Sequence, residues 1–268
     1  MHPITGQQIV LCKGSKKRTI RGKIYLPGDR YDRRYPTIIF CHGLSADYSQ
    51  FEHHGRGFAE RGICCVLFDF CGGGNGSQSD GATTQMSVKT EAKDLKAVLK
   101  AVKKYGFVDK ERIFLLGESQ GGYVAADVAY DKKRDTAGLI LWYPGFVIPD
   151  AIKEMCKDGI PEEYEIFGMK IGSIYAKDAI RDKPYSRMKG YKKPVLIIHG
   201  DCDETVPIEY SYRAEKVYPN VRLKVISNAG HGFEGGDSDY ARKLSADLVD
   251  MASRKGQNRV SFFKKIFK

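Results

Sequence analysis

Two hydrophobic rhythms alternate along the chain. Short β-rich runs stand at Thr37–Cys41, Cys64–Phe70, Ile113–Leu116, Ala137–Tyr143, Pro194–His199 and Arg222–Ile226. Such runs read as strands of a packed sheet, most of them buried on both faces. Stretches with helical spacing lie between them. In Val88–Tyr105 the apolar residues Leu95, Val98, Leu99 and Val102 fall three and four apart, which makes one apolar stripe on a helix. Phe51–Arg61 also reads as a helix, with Gly62 placed to end it. Further helices are expected from Ser119 to about Tyr130, around Ile208–Val217, and over Tyr240–Ala252. Ile9–Cys12 and Ile20–Leu26 predict an antiparallel hairpin at the start.

Buried strands joined by helices imply an α/β fold with a mostly parallel sheet. The rhythm fails once. Phe146 to Gly190 separates two strands by about 45 residues, far beyond an ordinary strand–helix connection. The stretch holds Pro149, Pro161, Pro184 and many aromatic residues. It reads as an insertion, a lid on the side where the strands end, within one domain spanning residues 1–268.

Composition adds limits. Of 268 residues, 42% are hydrophobic and 29% charged, as in an ordinary soluble globular domain. No apolar run approaches the length of a membrane span. The first residues lack the basic-then-apolar order of a signal peptide, so the chain reads as cytoplasmic. Seven irregularly spaced cysteines, with Cys41, Cys64 and Cys65 inside apolar runs, fit small buried hydrophobes rather than a disulfide framework. There is no Cys-x-x-Cys pair, and neither a metal nor a cofactor is expected. The net charge is +11, but the basic residues are scattered over helices and loops, which argues for a solvated surface and against nucleic acid. Arg254 to Lys268 is the exception, with six basic residues, no acidic ones, and Phe262, Phe263, Ile266 and Phe267 among them. That tail could touch an anionic membrane surface, although a tail packed on the body is the favoured reading.

The chemistry centres on Gly117-Glu118-Ser119-Gln120-Gly121. It follows the apolar run Ile113–Leu116 and precedes Gly122-Tyr123-Val124-Ala125-Ala126, so it reads strand, sharp turn, helix. A serine on such a turn is pushed outward, and flanking glycines remove side chains that would clash. Ser119 needs a base, and Gly230-His231-Gly232 follows the last strand. The base needs an acid. Asp201, Asp203 and Glu204 all follow the strand ending at His199; Asp203 fits the spacing to Val206-Pro207, and Asp201 is expected to brace the turn. The order Ser119, Asp203, His231 is that of α/β-hydrolases, not of chymotrypsin or subtilisin. Two oxyanion donors are expected: the N–H of Gln120 and, after the early strand and His42-Gly43, the N–H of Leu44. The glycine loop Gly72–Gly76 lacks the spacing of a phosphate cradle. His42 and His199 are expected to orient loops, and His53 and His54 to be solvated on their helix.

These motifs resemble those of α/β-hydrolases over about residues 20 to 252, and within them the bacterial intracellular feruloyl (cinnamoyl) esterases. The matching features are His42-Gly43-Leu44, Phe68-Asp69-Phe70 with its glycine loop, Ser77-Gln78-Ser79-Asp80-Gly81, Gly-Glu-Ser-Gln-Gly-Gly at 117–122, His199-Gly-x-x-Asp203-x-x-Val206-Pro207, and the inserted lid. The resemblance implies a cofactor-free serine esterase acting on a small hydroxycinnamoyl ester. It also implies ring-hydroxyl contacts at Asp150 and Tyr175. Leu44 stands where the family often has Phe, and Cys71 with its run of glycines departs from the commoner loop. Other readings stay open: a short-chain carboxylesterase, a monoacylglycerol lipase, an acylpeptidase-like hydrolase, or a binding protein on a hydrolase fold.

Overall fold

The computed structural model describes residues 5–253. The strands in chain order are β1 (Gln8–Lys13), β2 (Thr19–Tyr25), β3 (Tyr35–Cys41), β4 (Cys64–Phe68), β5 (Val108–Glu118), β6 (Gly138–Trp142), β7 (Glu163–Ile166), β8 (Met169–Gly172), β9 (Val195–Gly200) and β10 (Val221–Ile226). Among the described residues, eight of them form one sheet in the order β1-β2-β4-β3-β5-β6-β9-β10. β1 and β2 make the expected antiparallel hairpin, and β2 pairs antiparallel to β4. From β4 to β10 every pairing is parallel.

The helices are α1 (Glu52–Glu60), α2 (Val88–Val102), α3 (Ser119–Asp131), α4 (Ile148–Met155), α5 (Ser173–Ala179), α6 (Tyr185–Met188), α7 (Glu209–Val217) and α8 (Gly235–Ser253). Because strand side chains alternate between faces, each central strand feeds two cores. Ile39, Cys41, Ile113, Leu115, Leu139 and Leu141 face α2 and α3. Ile38, Phe40, Phe114, Leu116, Ile140 and Trp142 face α1 and α8. Each such side chain, removed from water, contributes about 1.5–3 kcal/mol. This explains why β4 and β6 carry no charged residues. All seven cysteines are free.

The starts of two elements and the burial of one histidine differ from expectation. β5 begins at Val108, because the polar stretch from Asp109 to Arg112 continues the strand toward solvent. α8 begins at Gly235, where two glycines hide a helix start. His54 is 3% exposed, not solvated. It shares the inward face of α1 with Phe58, one turn on, and its ring lies 4.9 Å from that of Trp142.

The stretch 146–190 contains α4, the antiparallel hairpin β7–β8, α5 and α6. Phe167 and Gly168 form the hairpin's two-residue turn, both with positive φ. The stretch is tied to the body. Thr83 Oγ1 donates to Lys170 O at 2.6 Å, Ser87 Oγ to Asp178 at 2.6 Å, and the Tyr123 hydroxyl to Asp182 at 2.6 Å. Among the described residues no helix is long and apolar enough to cross a membrane. The basic tail from Arg254 to Lys268 lies outside the described residues.

Candidate active site

The turn between β5 and α3 is built by close approach of backbones. A Cβ on Gly121 would lie 2.2 Å from Cys41 O and 2.4 Å from His42 O, and one on Gly117 would lie 2.3 Å from Gly121 O. Only glycine fits at either place. The same tight turn holds Ser119 at φ +47, a left-handed conformation that costs a non-glycine residue about 1–2 kcal/mol. Ser119 thereby stands clear of the strand, partly exposed.

Its Oγ lies 3.0 Å from His231 Nε2, and His231 Nδ1 lies 2.8 Å from Asp203 Oδ2. The three come from the turn after β5, the loop after β10 and the loop after β9. The parallel order brings the ends of these strands to one edge of the sheet. Asp203 has no exposed side-chain surface, and His231 is 22% exposed. Burial opposes ionisation of Asp203. Hydrogen bonds from His199, His231 and the Val206 N–H outweigh it and hold the carboxyl well below the usual range. Its Oδ1 accepts from the N–H groups of Thr205 at 2.9 Å and Val206 at 2.8 Å. Asp201 braces the neighbouring turn by accepting from Asn228 N at 2.6 Å. Glu204 is exposed.

Gly43 and Leu44 follow β3 beside the serine. A Cβ on Gly43 would lie 3.2 Å from Ser119 Cβ. His42, fully buried, holds this loop: Nδ1 donates to Gly43 O at 2.8 Å, and Nε2 accepts from Phe70 N at 3.1 Å. Both bonds suit a neutral ring, and burial pushes His42 below its ordinary pKa. Gln120 lies in the first turn of α3, where helix N–H groups have no partner within the helix.

Two residues that the sequence did not single out complete this wall. Glu118 Oε1 accepts from Gly43 N at 3.0 Å, and Oε2 accepts from the Tyr143 hydroxyl at 2.5 Å. Burial pushes the Glu118 carboxyl up, while the Tyr143 hydroxyl, the Gly43 N–H and His231 pull the other way. Tyr143, at φ +35, sets its ring edge-on to His231 at 4.8 Å. The available signal was an acid immediately before the candidate serine, at the end of an otherwise apolar strand.

The residues carried over by resemblance lie differently. Tyr175, on α5, is 1% exposed, and its hydroxyl donates to Gln120 Oε1 at 2.5 Å. Gln120 Nε2 in turn donates to the buried Glu91 at 2.9 Å. Asp150, on α4, is exposed and accepts from the Tyr210 hydroxyl at 2.9 Å. Among the described residues no group of three or more His, Cys, Asp or Glu side chains is placed to hold a metal ion.

Sheet order, flanking helices and the strand–turn–helix around Ser119 define an α/β-hydrolase fold. The chain belongs to the prolyl oligopeptidase family, whose pattern matches residues 49–255. Among curated relatives it is 25% identical over 223 residues to the α/β hydrolase domain-containing protein aho-3 of Caenorhabditis elegans, covering 80% of this chain and 58% of that protein. It is 25% identical over 235 residues to the AB hydrolase superfamily protein YisY of Bacillus subtilis, covering 73% and 84%. Among solved structures it superposes on Est1E from Butyrivibrio proteoclasticus with ferulic acid bound. There the TM-score is 0.79 at 23% identity, covering 97% of this chain and 100% of that one. It also superposes on a monoacylglycerol lipase from Paleococcus ferrophilus, with TM-score 0.64 at 17% identity, covering 81% and 96%. At these identities the structural likeness establishes the fold. The expected resemblance to α/β-hydrolases holds, and in fold it extends to Est1E, the protein solved with ferulic acid.

Proposed function

We propose that the protein is a serine ester hydrolase working through an acyl-enzyme. The observation that carries this reading is the unbroken line from Ser119 Oγ through His231 to a buried, ionised Asp203. His231 takes the proton of Ser119 as the oxygen attacks the ester carbonyl, and Asp203 holds the imidazolium. The N–H groups of Leu44 and Gln120 receive the developing oxyanion. His231 then protonates the leaving alcohol, and a water activated by the same ring clears the acyl group.

For the substrate we favour a hydroxycinnamoyl ester, with residues 146–190 as the lid over the acyl group. The support is the shared motifs and the superposition on Est1E. Asp150 and Tyr175 are the lid residues assigned to ring-hydroxyl contacts. In this role Tyr175 exchanges its bond to Gln120 for one to the substrate. The family match favours one second reading, cleavage of short acyl peptides.

Ser119→Ala should lower kcat by about 10⁴-fold or more while the thermal midpoint stays close to the parent's. A fluorophosphonate should label the parent at Ser119. Retained hydrolysis in the variant, or an unlabelled parent, would sink the assignment. The acyl preference is read from methyl ferulate, methyl caffeate, p-nitrophenyl esters of graded length, a monoacylglycerol and an acyl-alanine p-nitroanilide. A preference for alkyl chain length over aromatic acids removes the feruloyl reading, and a preference for the anilide replaces it with the peptidase one.

A further inference from the structure

Asp203 serves two imidazoles. Its Oδ2 lies 2.8 Å from His231 Nδ1 and 3.1 Å from His199 Nε2. His199 Nδ1 lies 2.7 Å from Ser211 Oγ. The side chains therefore run Ser119–His231–Asp203–His199–Ser211, two serine–imidazole pairs meeting on one carboxylate. The halves differ in access. Ser119 and His231 are partly exposed, whereas His199 and Ser211 are 0% exposed. No substrate reaches the inner pair, so it is not a second nucleophile.

The hydrogens of the inner pair follow from its neighbours. His199 Nε2 faces Asp203 Oδ2 and, at 2.9 Å, Val206 O, and both are acceptors. Nε2 therefore carries a hydrogen, and Nδ1 can accept from the Ser211 hydroxyl. A carboxylate that accepts a further donor spreads its charge, and less of it remains for the imidazolium on its other side.

We propose that His199, held by Ser211, is a positioning residue that draws part of the Asp203 charge away from His231 and so sets how tightly His231 holds its proton. This rests on the reading of Ser119, His231 and Asp203 as the catalytic line. A base that holds its proton too tightly is a poor acid toward the leaving alcohol, so the inner pair tunes one step against the other. Glu118 and Tyr143 also reach His231, and substitution at His199 leaves both in place.

The test is the NMR titration of the His231 ring across pH 4 to 9 in the full chain. In His199→Phe, which keeps a ring and removes the donor, the midpoint should rise by about half to one pH unit, roughly three- to tenfold tighter proton binding. His199→Gln sets an amide N–H close to where Nε2 stood and should restore most of the parent value. Ser211→Ala should give a smaller rise in the same direction. The acid limb of kcat/KM should move with the titration. A residue that merely props the loop would lower kcat or the melting temperature and leave the His231 midpoint in place. An unmoved midpoint in folded His199→Phe overturns the proposal, and should that variant fail to fold, an unmoved midpoint in Ser211→Ala does so. The titration needs no substrate, so it is separate from the esterase reading, which falls if the parent takes no fluorophosphonate at Ser119.

Discussion

At the scale of single side chains, His54 shows how packing sets chemistry. Its ring stacks near Phe40 and Phe51 and stands edge-on to Trp142, and its Nδ1 meets no hydrogen-bond partner among the described residues. Burial first, then the nearby His53 and Arg242, push its pKa down to about 3. The unfolded chain, with an ordinary value near 6.5, binds this proton more readily than the folded one. The stability linked to His54 is thus complete above about pH 6.5 and is lost as pH falls from there toward about 3. The loss is at most about 1.4 kcal/mol per pH unit. His54→Phe keeps the stacking and removes the titration, so its melting temperature should fall less between pH 6.5 and pH 4.5 than the parent's. Parallel curves for the two proteins would disprove this account. The slope should not vanish, because burial also lowers His42 and His53.

At the scale of elements, the β5–α3 turn is the least adjustable piece of the fold. Gly121→Ala forces a methyl onto the carbonyls of Cys41 and His42, which belong to the neighbouring strand β3 and the loop it leads into. Backbone has to move, and overpacking of this kind costs about 1–3 kcal/mol. The turn that presents Ser119 would shift with it. Gly62 gives the contrast: it ends α1 at φ +77, and a Cβ there would meet nothing within 4 Å. Gly62→Ala should cost only about 1–2 kcal/mol and leave kcat unchanged. Urea unfolding and turnover measured on both variants check this. A Gly121→Ala protein with the parent's urea midpoint would mean that the turn has room the geometry denies.

At the scale of the whole molecule, the insert shares an apolar cluster with the body through Phe146, Met169, Ile171 and Tyr175, and polar bonds pin its edges there. Tyr123 on α3 donates to Asp182, Ser87 at the start of α2 donates to Asp178, and Tyr175 reaches Gln120 beside the candidate serine. Such contacts can open locally without unfolding the sheet. The double variant Tyr123→Phe, Ser87→Ala should therefore raise amide hydrogen exchange in α5 and α6. Exchange in β3, β5 and β9 should remain slow. Equal acceleration in both regions would show that insert and sheet open as one unit.

The sequence by itself determined the alternation of buried strands and helices, because period and apolarity are local properties of the chain. It also determined the order serine, acid, histidine, because glycines mark those turns wherever they occur. The hairpin β7–β8 escaped it, since its strands have four residues each and a phenylalanine occupies a turn position that usually takes Asn, Asp or Gly. His54 escaped it because the burial of one helix face depends on what packs against it. Only the tertiary structure decided that Glu118 holds Gly43, that Tyr175 spends its hydroxyl on Gln120, and that Asp203 is shared between His231 and His199. Each of these bonds except the one between Asp203 and His199 joins residues at least 28 positions apart. No local pattern encodes such pairs; they exist because parallel strands deliver their ends to the same edge of the sheet.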